Sequence, residues 1–123
     1  MEHSDLTGII VDEAFQLHKD LGPGLLESVY SKLLTHRLQK RGLKVEREKK
    51  VVFWYEGMRF DEGLRIDLLV NGEVVVELKS VEVLPAVAYK QTLTYLRLTN
   101  RKVGLLINFG APLFKQGVTR IVN

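Results

Sequence analysis

Two apolar segments on either side of a helical one limit the folds open to this chain more than any other feature. The first, Glu73 to Lys79, has three consecutive valines at its centre and charges only toward its ends, which favours a strand buried on both faces. The second is Val103 to Phe109, and between them Pro85 begins a helical pattern that runs to about Leu98. Because strand–helix–strand connections within one sheet are right-handed crossovers, these two strands should be parallel. The pattern predicts an α/β fold, with a short edge strand at 119–122.

The chain before this unit begins with a helical part. Apolar residues recur at helical spacing as far as Gly42, and the run Gly22-Pro23-Gly24 separates two helices because proline lacks a backbone donor. Asp5 is the expected cap of the first helix. The predicted apolar stripes are Ile10, Ala14, Leu17 and Leu21 in the first helix, and Leu26, Val29, Tyr30, Leu33, Leu34 and Leu38 in the second.

An extended part follows. Strand structure is expected over 45–55 and over 58–70, the latter broken near Gly63. Glu56-Gly57 forms a turn between the two segments, and Asn71-Gly72 is the strongest short hairpin signal in the chain. The order of elements predicts a mixed central β-sheet flanked by helices.

Composition limits the class of protein. At 123 residues the chain fits one domain, which we expect to span 1–123. The chain has no cysteine, which excludes disulfide scaffolds, thiolate zinc sites and cysteine nucleophiles. No apolar run approaches the roughly 18 residues of a membrane span, and the acidic, polar start from Met1 to Asp5 is unlike a signal peptide. We therefore expect a soluble, cytoplasmic protein.

The net charge of +3 permits binding to nucleic acid without requiring it. Seven cations lie between Arg37 and Lys50, against two glutamates, and such a segment is able to contact a phosphate backbone. A solvated helix end and an exposed strand face would give the same pattern. Trp54 and Tyr55 follow this basic segment and also have two interpretations, which are stacking on bases and aromatic packing within a strand.

The candidate chemistry lies on two neighbouring strands, at Asp67, Glu77 and Lys79. Glu77 and Lys79 are two positions apart on one strand and so share a face, whereas Leu78 points into the opposite layer. Such a pair is often an ordinary surface ion pair that contributes little. This strand, however, is the most apolar in the chain, and charges in a buried setting require compensation.

The hairpin register decides whether the two candidate carboxylates meet. A two-residue Asn71-Gly72 turn would place them on opposite faces, whereas a three-residue loop over 70–72, which pairs Leu69 with Glu73, would place them on one face. We predict the odd-length loop or a bulge of equivalent effect. Two carboxylates side by side repel each other unless a cation bridges them, and oxygen ligands of this kind suit Mg²⁺ or Mn²⁺.

The spacing of these residues resembles a known signature. Asp67, nine intervening residues and then Glu77-x-Lys79 is similar to the PD-(D/E)xK nuclease signature, although Ile66 stands where the superfamily has a non-ligand proline. Downstream, Gln91-Thr92-Leu93-Thr94-Tyr95 resembles the Q-x-x-x-Y element of the RecB-like and lambda-exonuclease-like branch. The two named residues of this element are four apart and so lie on one helical face.

Further segments extend the resemblance over nearly the whole chain. Gly24-Leu25-Leu26-Glu27-Ser28-Val29-Tyr30 matches the motif that names the small bacterial GxxExxY proteins, which are assigned to the same superfamily. The segments from Leu21 to Glu27 and from Gly104 to Gly110 are similar to that family's conserved blocks. The resemblance implies a restriction-endonuclease-like core with the element order α-β-β-β-α-β.

The same resemblance implies metal-dependent hydrolysis of phosphodiester bonds, with DNA as the substrate and Mg²⁺ or Mn²⁺ as the cofactor. Asp67 and Glu77 would bind the metal directly, together with the main-chain carbonyl of Leu78. Lys79 would orient or deprotonate the attacking water, or stabilise charge in the transition state.

The same resemblance implies roles for further residues. Glu27 would hold the metal through water or bind a second ion, although a glutamate near a helix start also complements the helix dipole. Gln91 and Tyr95 would position Lys79 or the substrate phosphate. Tyr30 lies one turn from Glu27, and core packing is its simpler interpretation.

Three functional interpretations follow from the sequence. The first is the metal-dependent nuclease. The second is a non-catalytic nucleic-acid-binding or protein-interaction module that keeps the nuclease fold, although the presence of Asp67, Glu77 and Lys79 together argues against it. The third is a hydrolase of another phosphate ester. Because a nuclease core of 123 residues leaves little room for substrate recognition, a homodimer or a partner subunit would complete the DNA channel.

Overall fold

The computed structural model describes residues 2–123, and within that range the chain forms four helices and seven strands. The helices are α1 (His3–Leu21), α2 (Glu27–Lys40), α3 (Ala86–Leu98) and α4 (Phe114–Gly117). The strands are β1 (Val45–Lys50), β2 (Phe53–Tyr55), β3 (Met58–Phe60), β4 (Arg65–Val70), β5 (Val74–Lys79), β6 (Val103–Asn108) and β7 (Val118–Val122).

Within residues 2–123, five strands form one mixed sheet in the order β1-β4-β5-β6-β7, and β2 and β3 form a separate hairpin. β5 and β6 are parallel, as the crossover predicts, and the other neighbours are antiparallel. One face of the sheet carries the larger core, which it shares with α1 and α2, and the other face packs on Leu96 of α3. This confirms the predicted mixed sheet flanked by helices, and α2, β1, β4, β5, α3 and β6 follow the α-β-β-β-α-β order.

The two N-terminal helices bury their stripes only where the sheet covers them. Ile10, Ala14 and Leu17 are buried as predicted, but Leu21 is exposed because α1 ends at that residue. Leu26 and Val29 are also exposed, contrary to the prediction, since they lie at the start of α2 beside the glycine-rich break. The predicted capping role of a further residue, Asp5, is wrong as well, because α1 begins at His3 and Asp5 lies inside its first turn. Among residues 2–123, no helix has both the length and the apolar character required to cross a membrane.

Much of the basic segment is neutralised by the fold. Arg37 and Arg41 of this segment both donate hydrogen bonds to Glu13 of α1, at 2.8 and 2.7 Å. Lys44 and Lys49 lie within 3.3 and 2.9 Å of Glu46 carboxylate oxygens. Cations of the segment that make no ion pair within residues 2–123 are Lys40, Arg47 and Lys50. The solvated-face interpretation therefore accounts for most of the segment, and few of its cations are left for a phosphate backbone.

The contact of Glu13 with Arg37 and Arg41 gives a stability prediction. Burial acts to raise the pKa of Glu13, but the hydrogen bonds from Arg41 and Arg37 outweigh it and hold the pKa below the ordinary value of 4.5. A carboxylate whose pKa is lower in the folded state stabilises the fold above about pH 4.5 and loses that contribution as the pH falls. Glu13→Gln removes the charge that both arginines contact and should therefore lower the free energy of unfolding at pH 7. We expect a loss of about 1 kcal/mol, because both arginines are partly exposed and solvent screens the interaction.

Urea unfolding of both proteins at pH 7 and pH 3 measures this effect. The difference between wild type and Glu13→Gln should shrink at pH 3, and a difference that stays constant between the two pH values would contradict the assignment.

The β4–β5 hairpin has an odd-length loop, as predicted, but its register differs from the predicted one. Val70 pairs with Val74, so the loop is Asn71 to Glu73 rather than 70–72, and Leu69 pairs with Val75 instead of Glu73. Asn71 and Gly72 both have positive φ angles, of 53° and 68°, and the side chain of Asn71 accepts a hydrogen bond from the backbone N–H of Lys44. This anchor moves the turn one residue along the chain, which shifts the pairing by two positions and keeps its parity.

The predicted strand over 45–55 is divided between two sheets. β1 joins the main sheet, whereas β2 pairs with β3 in the hairpin. The turn at Glu56-Gly57, the break near Gly63 and the edge strand near 119–122 are confirmed. The short helix α4 was not predicted, because a single turn leaves no periodic pattern in the sequence.

Candidate functional site

The pairing of β1 with β4 is irregular at the candidate site residue Asp67. The two strands pair on both sides of Glu48 and Asp67, but the described ladder leaves this pair out. Glu48 has a φ angle of 50°, a left-handed conformation that is uncommon for residues other than glycine. Ile66 and Leu69 both pack in the core on the α3 side, although alternation along a regular strand would place them on opposite faces. The strand therefore changes its alternation at Asp67.

A second irregularity lies between β4 and β5. Their described pairing ends at Leu68 and Val76, and beyond that point carboxyl groups take the place of the backbone ladder. The backbone N–H of Asp67 donates to Oε2 of Glu77 at 2.9 Å. In turn, the backbone N–H of Leu78 donates to Oδ2 of Asp67 at 2.8 Å. The structure thus brings both predicted carboxyl groups into one gap between the strands and fixes each by a backbone donor.

The electrostatics of this gap are unfavourable for two negative charges. Glu77 is 5% exposed. Burial first, and then the negative charge of Asp67, raise the pKa of Glu77 to about 9, while the charge of Lys79 acts to lower it. Two adjacent carboxyl groups, one of them buried, do not both ionise without a compensating cation. The donor set is all oxygen, so the residues present fit a hard divalent cation such as Mg²⁺ or Mn²⁺.

The backbone of Leu78 faces the same gap. Its N–H points toward β4, because it donates to Asp67. In an extended strand the N–H and C=O of one residue point to the same edge, as the exchange of both bonds within a residue pair requires. The Leu78 carbonyl, which the sequence resemblance assigns to the metal, therefore also points toward β4.

Lys79 shares the face of β5 that carries Glu77, and α3 packs on that face of the sheet. Lys79 ends β5 and is half-buried, and its charge acts on Glu77. Burial first, and then the charge of Glu77, raise the pKa of Tyr95, whose side chain packs against the core cluster on the same sheet face. Gln91 is exposed and donates its side-chain N–H to Oη of Tyr95 at 3.1 Å. Gln91 and Tyr95 are thus linked on one helical face, and Tyr95 packs on the side of the sheet that Glu77 faces.

Glu27 approaches the site from α2. It is exposed at the first position of that helix and lines a cavity of about 190 Å³ together with Asp67 and Leu78. It does not complete a ligand cluster, because no three histidine, aspartate or glutamate side chains gather closely enough to hold an ion anywhere in residues 2–123. The structure therefore brings together Asp67 and Glu77, and places Glu27 in the lining of a cavity that it shares with Asp67 but not with Glu77.

Two arginines in the same cavity were not among the site residues expected from the sequence. Arg47 and Arg65 line it, and neither forms an ion pair with a carboxylate within residues 2–123. The Nε of Arg47 donates to Oγ of Ser31 at 3.1 Å, which fixes the direction of the guanidinium. Arg65 stands two residues before Asp67, and this proximity was the available signal. Arg47 was recognised only as part of the basic segment, because its position depends on the packing of α2 on β1.

Tyr30 has the packing role that was its simpler interpretation. Its ring stacks on Phe109 with centroids 4.3 Å apart and planes 3° from parallel. Its hydroxyl donates to the carbonyl of Gly22 at 2.6 Å and accepts from the backbone N–H of Leu25 at 3.2 Å. Tyr30 therefore supports the loop that leads into Glu27.

Asn108 supports the chain that leaves β5, a role that the sequence analysis missed. Its side-chain oxygen accepts from the backbone N–H groups of Val81 and Gly110, both at 3.0 Å, and its amide donates to the carbonyl of Val81 at 2.9 Å. A Cβ at Gly110 would lie 2.2 Å from the Val81 carbonyl oxygen. The segment after Lys79 is thus held against the end of β6, and the polar residue at the end of a buried strand was the available signal.

Comparison with known proteins identifies the family of the chain. A family model described as PD-(D/E)XK nuclease superfamily matches residues 4–121. No curated protein and no solved structure matches the chain significantly. The mixed sheet with helices on both faces is consistent with the restriction-endonuclease-like fold of this superfamily, whose members typically use divalent metals. A match over nearly the full length places the chain in the family: it belongs to the PD-(D/E)XK nuclease superfamily.

Proposed function

We propose that this protein is a metal-dependent nuclease that hydrolyses phosphodiester bonds of DNA. Membership of the superfamily suggests nuclease activity in general. The observation that supports the specific proposal is the convergence of Asp67 and Glu77 in the gap between β4 and β5, each held by a backbone N–H of the other strand. A fold that only needed stability would gain nothing from a buried carboxyl beside another, so the pair is better explained by a cation.

The metal would be held by the carboxylates of Asp67 and Glu77 and by the main-chain carbonyl of Leu78. Glu27, which lines the same cavity as Asp67, would contribute through water or bind a second ion. When bound, Mg²⁺ or Mn²⁺ supplies Lewis-acid chemistry, in that it polarises a phosphate oxygen and lowers the pKa of water.

The remaining residues act on the proton and the substrate. Lys79, close enough to influence the charge of Glu77, orients or deprotonates the attacking water, or stabilises the charge that develops on the phosphate. Tyr95, held by Gln91, positions Lys79 or the phosphate. Its neighbourhood with Glu77 on the α3 side supports this assignment.

Arg47 is expected to contact the substrate phosphate in the cavity, because Ser31 directs its guanidinium and it makes no ion pair among the described residues. Loss of a charged hydrogen bond costs about 1.5–3 kcal/mol. Arg47→Ala should therefore raise KM for DNA by about tenfold or more and change kcat less, while Arg47→Lys recovers part of the affinity. Steady-state kinetics measure this, with Lys40→Ala, an exposed cation of the same basic segment, as the control. An equal effect of both alanine variants would contradict a specific phosphate contact.

The finer family assignment is also a proposal. The Gly24–Tyr30 motif and the Gln91–Tyr95 element support a GxxExxY protein related to the RecB-like and lambda-exonuclease-like branch. We propose further that residues 1–123 form one nuclease domain that acts in the cytoplasm, and that a second copy or a partner subunit completes the DNA channel. Analytical ultracentrifugation with and without DNA tests the homodimer, and a monomer under both conditions would contradict it.

A cleavage panel tests the proposed activity. Linear and circular DNA, single- and double-stranded, and RNA are incubated with Mg²⁺ or Mn²⁺, with chelator as the negative control. Metal-dependent cleavage of DNA is the expected result. Cleavage of a small phosphodiester that DNA does not compete with would favour a hydrolase of another phosphate ester. Binding of DNA without cleavage under any metal condition would favour the non-catalytic module.

A further inference from the structure

The β2–β3 hairpin forms an arm that is separate from the main sheet. Its tip residues Glu56 and Gly57 both have positive φ angles, of 49° and 76°, and Tyr55 pairs directly with Met58 across this two-residue loop. Such a turn has the twist that favours a regular hairpin. Nearer the base of the arm, the rings of Phe53 and Phe60 stack with centroids 5.1 Å apart. The arm is therefore held in shape by its own turn and its own aromatic pair.

The outer part of the arm exposes aromatic side chains on both faces. Trp54 and Tyr55 are each 63% exposed, and Met58 is 60% exposed. Adjacent strand residues point to opposite faces, so Trp54 lies on one face with its partner Arg59, and Tyr55 lies on the other with Met58. The alternative interpretation was that these two aromatics pack within a strand. It does not account for the exposed majority of both side chains.

The arm extends from the end of the sheet that carries the candidate site. Its base is formed by Lys50 and Arg65, which pair with each other at the ends of β1 and β4, and Asp67 follows two residues later. At about 3.3 Å per residue, Tyr55 lies within about 17 Å of Lys50. A polymer chain bound at the site would thus pass within reach of the arm.

The distribution of charge separates two kinds of contact. Within residues 51–64, Arg59 is held by Asp61 at 2.7 Å, and two further carboxylates leave the arm without a positive surface. The exposed cations Lys50 and Arg65 are at its base. Phosphates are therefore attracted at the base, and aromatic rings are offered at the tip. Proteins that bind single-stranded nucleic acid combine these two features.

We propose that Trp54 and Tyr55, which lie on opposite faces of the arm next to its turn, form a two-sided stacking platform, in which each ring stacks on an unpaired base of the nucleic-acid strand that enters the Asp67–Glu77 site. This inference rests on the proposed function, because it takes the substrate of that site to be a nucleic acid. It names the substrate class as single-stranded nucleic acid, or a strand with a frayed or unpaired end. Stacking tolerates every base, so no sequence preference follows from it.

Tryptophan fluorescence provides a direct test, since Trp54 is the single tryptophan of the chain. The wild-type protein is titrated in chelator, which prevents metal-dependent cleavage, with a 20-nucleotide oligo(dT), an oligo(rU) and a blunt duplex. The single strands should quench the emission of Trp54 to saturation, and the duplex should quench it less. Fluorescence anisotropy of a labelled oligo(dT) measures affinity independently of Trp54.

Variants separate stacking from charge. Tyr55→Ala should weaken oligo(dT) binding by about 5- to 100-fold, and Tyr55→Phe should retain the affinity because it keeps the ring. Lys50→Ala should weaken binding and reduce its salt dependence, but should leave the quenching at saturation unchanged. Val122→Ala, an exposed apolar position at the opposite end of the sheet, is the matched control and should have no effect. Circular dichroism checks that each variant is folded.

Several results would overturn the platform. Binding by anisotropy without a change in Trp54 emission would place the strand elsewhere, and equal quenching by the duplex would remove the need for unpaired bases. A change in emission that follows protein concentration instead of oligonucleotide would identify a second copy of the chain as the occupant. Metal-dependent DNA cleavage that Tyr55→Ala leaves intact on every substrate would refute the platform and leave the proposed function standing. Quenching by oligo(dT) in a protein that cleaves no substrate would support the platform and contradict the proposed nuclease function.

Discussion

Replacing Lys79 with alanine should reduce the rate of DNA cleavage by about 10²- to 10⁴-fold, the range expected when a proton-transfer group or a charge-stabilising donor is lost. Lys79 lies at the end of β5, two residues from Glu77 and close enough for its charge to act on that carboxyl. The substitution removes the ammonium group and leaves both carboxylates in place. Metal binding should therefore be retained while single-turnover cleavage is lost.

Lys102→Ala is the matched control for this experiment. Lys102 is exposed and precedes β6 at the opposite end of the sheet, so its removal changes the net charge equally without touching the site. Lys102→Ala should cleave at nearly the wild-type rate. Equal rates for Lys79→Ala and wild type would show that the observed cleavage comes from a contaminant or from another site.

Glu77→Gln should stabilise the metal-free protein while it abolishes cleavage. The wild-type carboxyl is buried beside Asp67, so the folded state either holds an uncompensated charge or takes up a proton. Glutamine is neutral, and its side-chain oxygen is still able to accept from the backbone N–H of Asp67. We expect the free energy of unfolding in chelator at pH 7 to rise by about 1–3 kcal/mol. Chemical denaturation of both proteins measures this directly.

The sign of the pH dependence follows from the same burial. Burial and the charge of Asp67 raise the pKa of Glu77 from 4.5 to about 9, so the folded state binds more protons than the unfolded state between those values. The stability of the wild type should therefore fall as the pH rises through this window, and the advantage of Glu77→Gln should grow. Glu82 is an exposed carboxylate beyond the end of β5 and serves as the control. The difference in stability between Glu82→Gln and wild type should not grow with pH. A Glu77→Gln protein less stable than wild type at pH 8 would contradict the account.

The architecture was largely readable from local patterns. The three valines of β5 and the apolar run of β6, joined by α3, were sufficient to predict a parallel pair in a mixed sheet. The hairpin register was not, because it depends on a contact between Asn71 and the distant backbone of Lys44. The division of 45–55 between β1 and β2 likewise depends on pairing partners that lie elsewhere in the chain.

The site was predictable to the extent that it follows from motifs. The resemblance singled out Asp67 and Glu77, and the structure brings them together. The way in which they meet was not predictable, since it depends on the left-handed conformation of Glu48 and on strand pairing that ends early. Arg47 was predicted only as one cation of the basic segment, because its place in the cavity depends on the packing of α2 on β1.

Titration of Mn²⁺ into the metal-free protein determines whether Asp67 and Glu77 form a divalent-metal site. Isothermal titration calorimetry compares the wild type with Asp67→Asn and with Asp12→Asn, an exposed aspartate of α1. We expect saturable Mn²⁺ binding by the wild type and by Asp12→Asn. The Mn²⁺ affinity of Asp67→Asn should be at least about tenfold lower. No saturable binding by the wild type, or equal affinities for all three proteins, would contradict a metal site at Asp67 and Glu77.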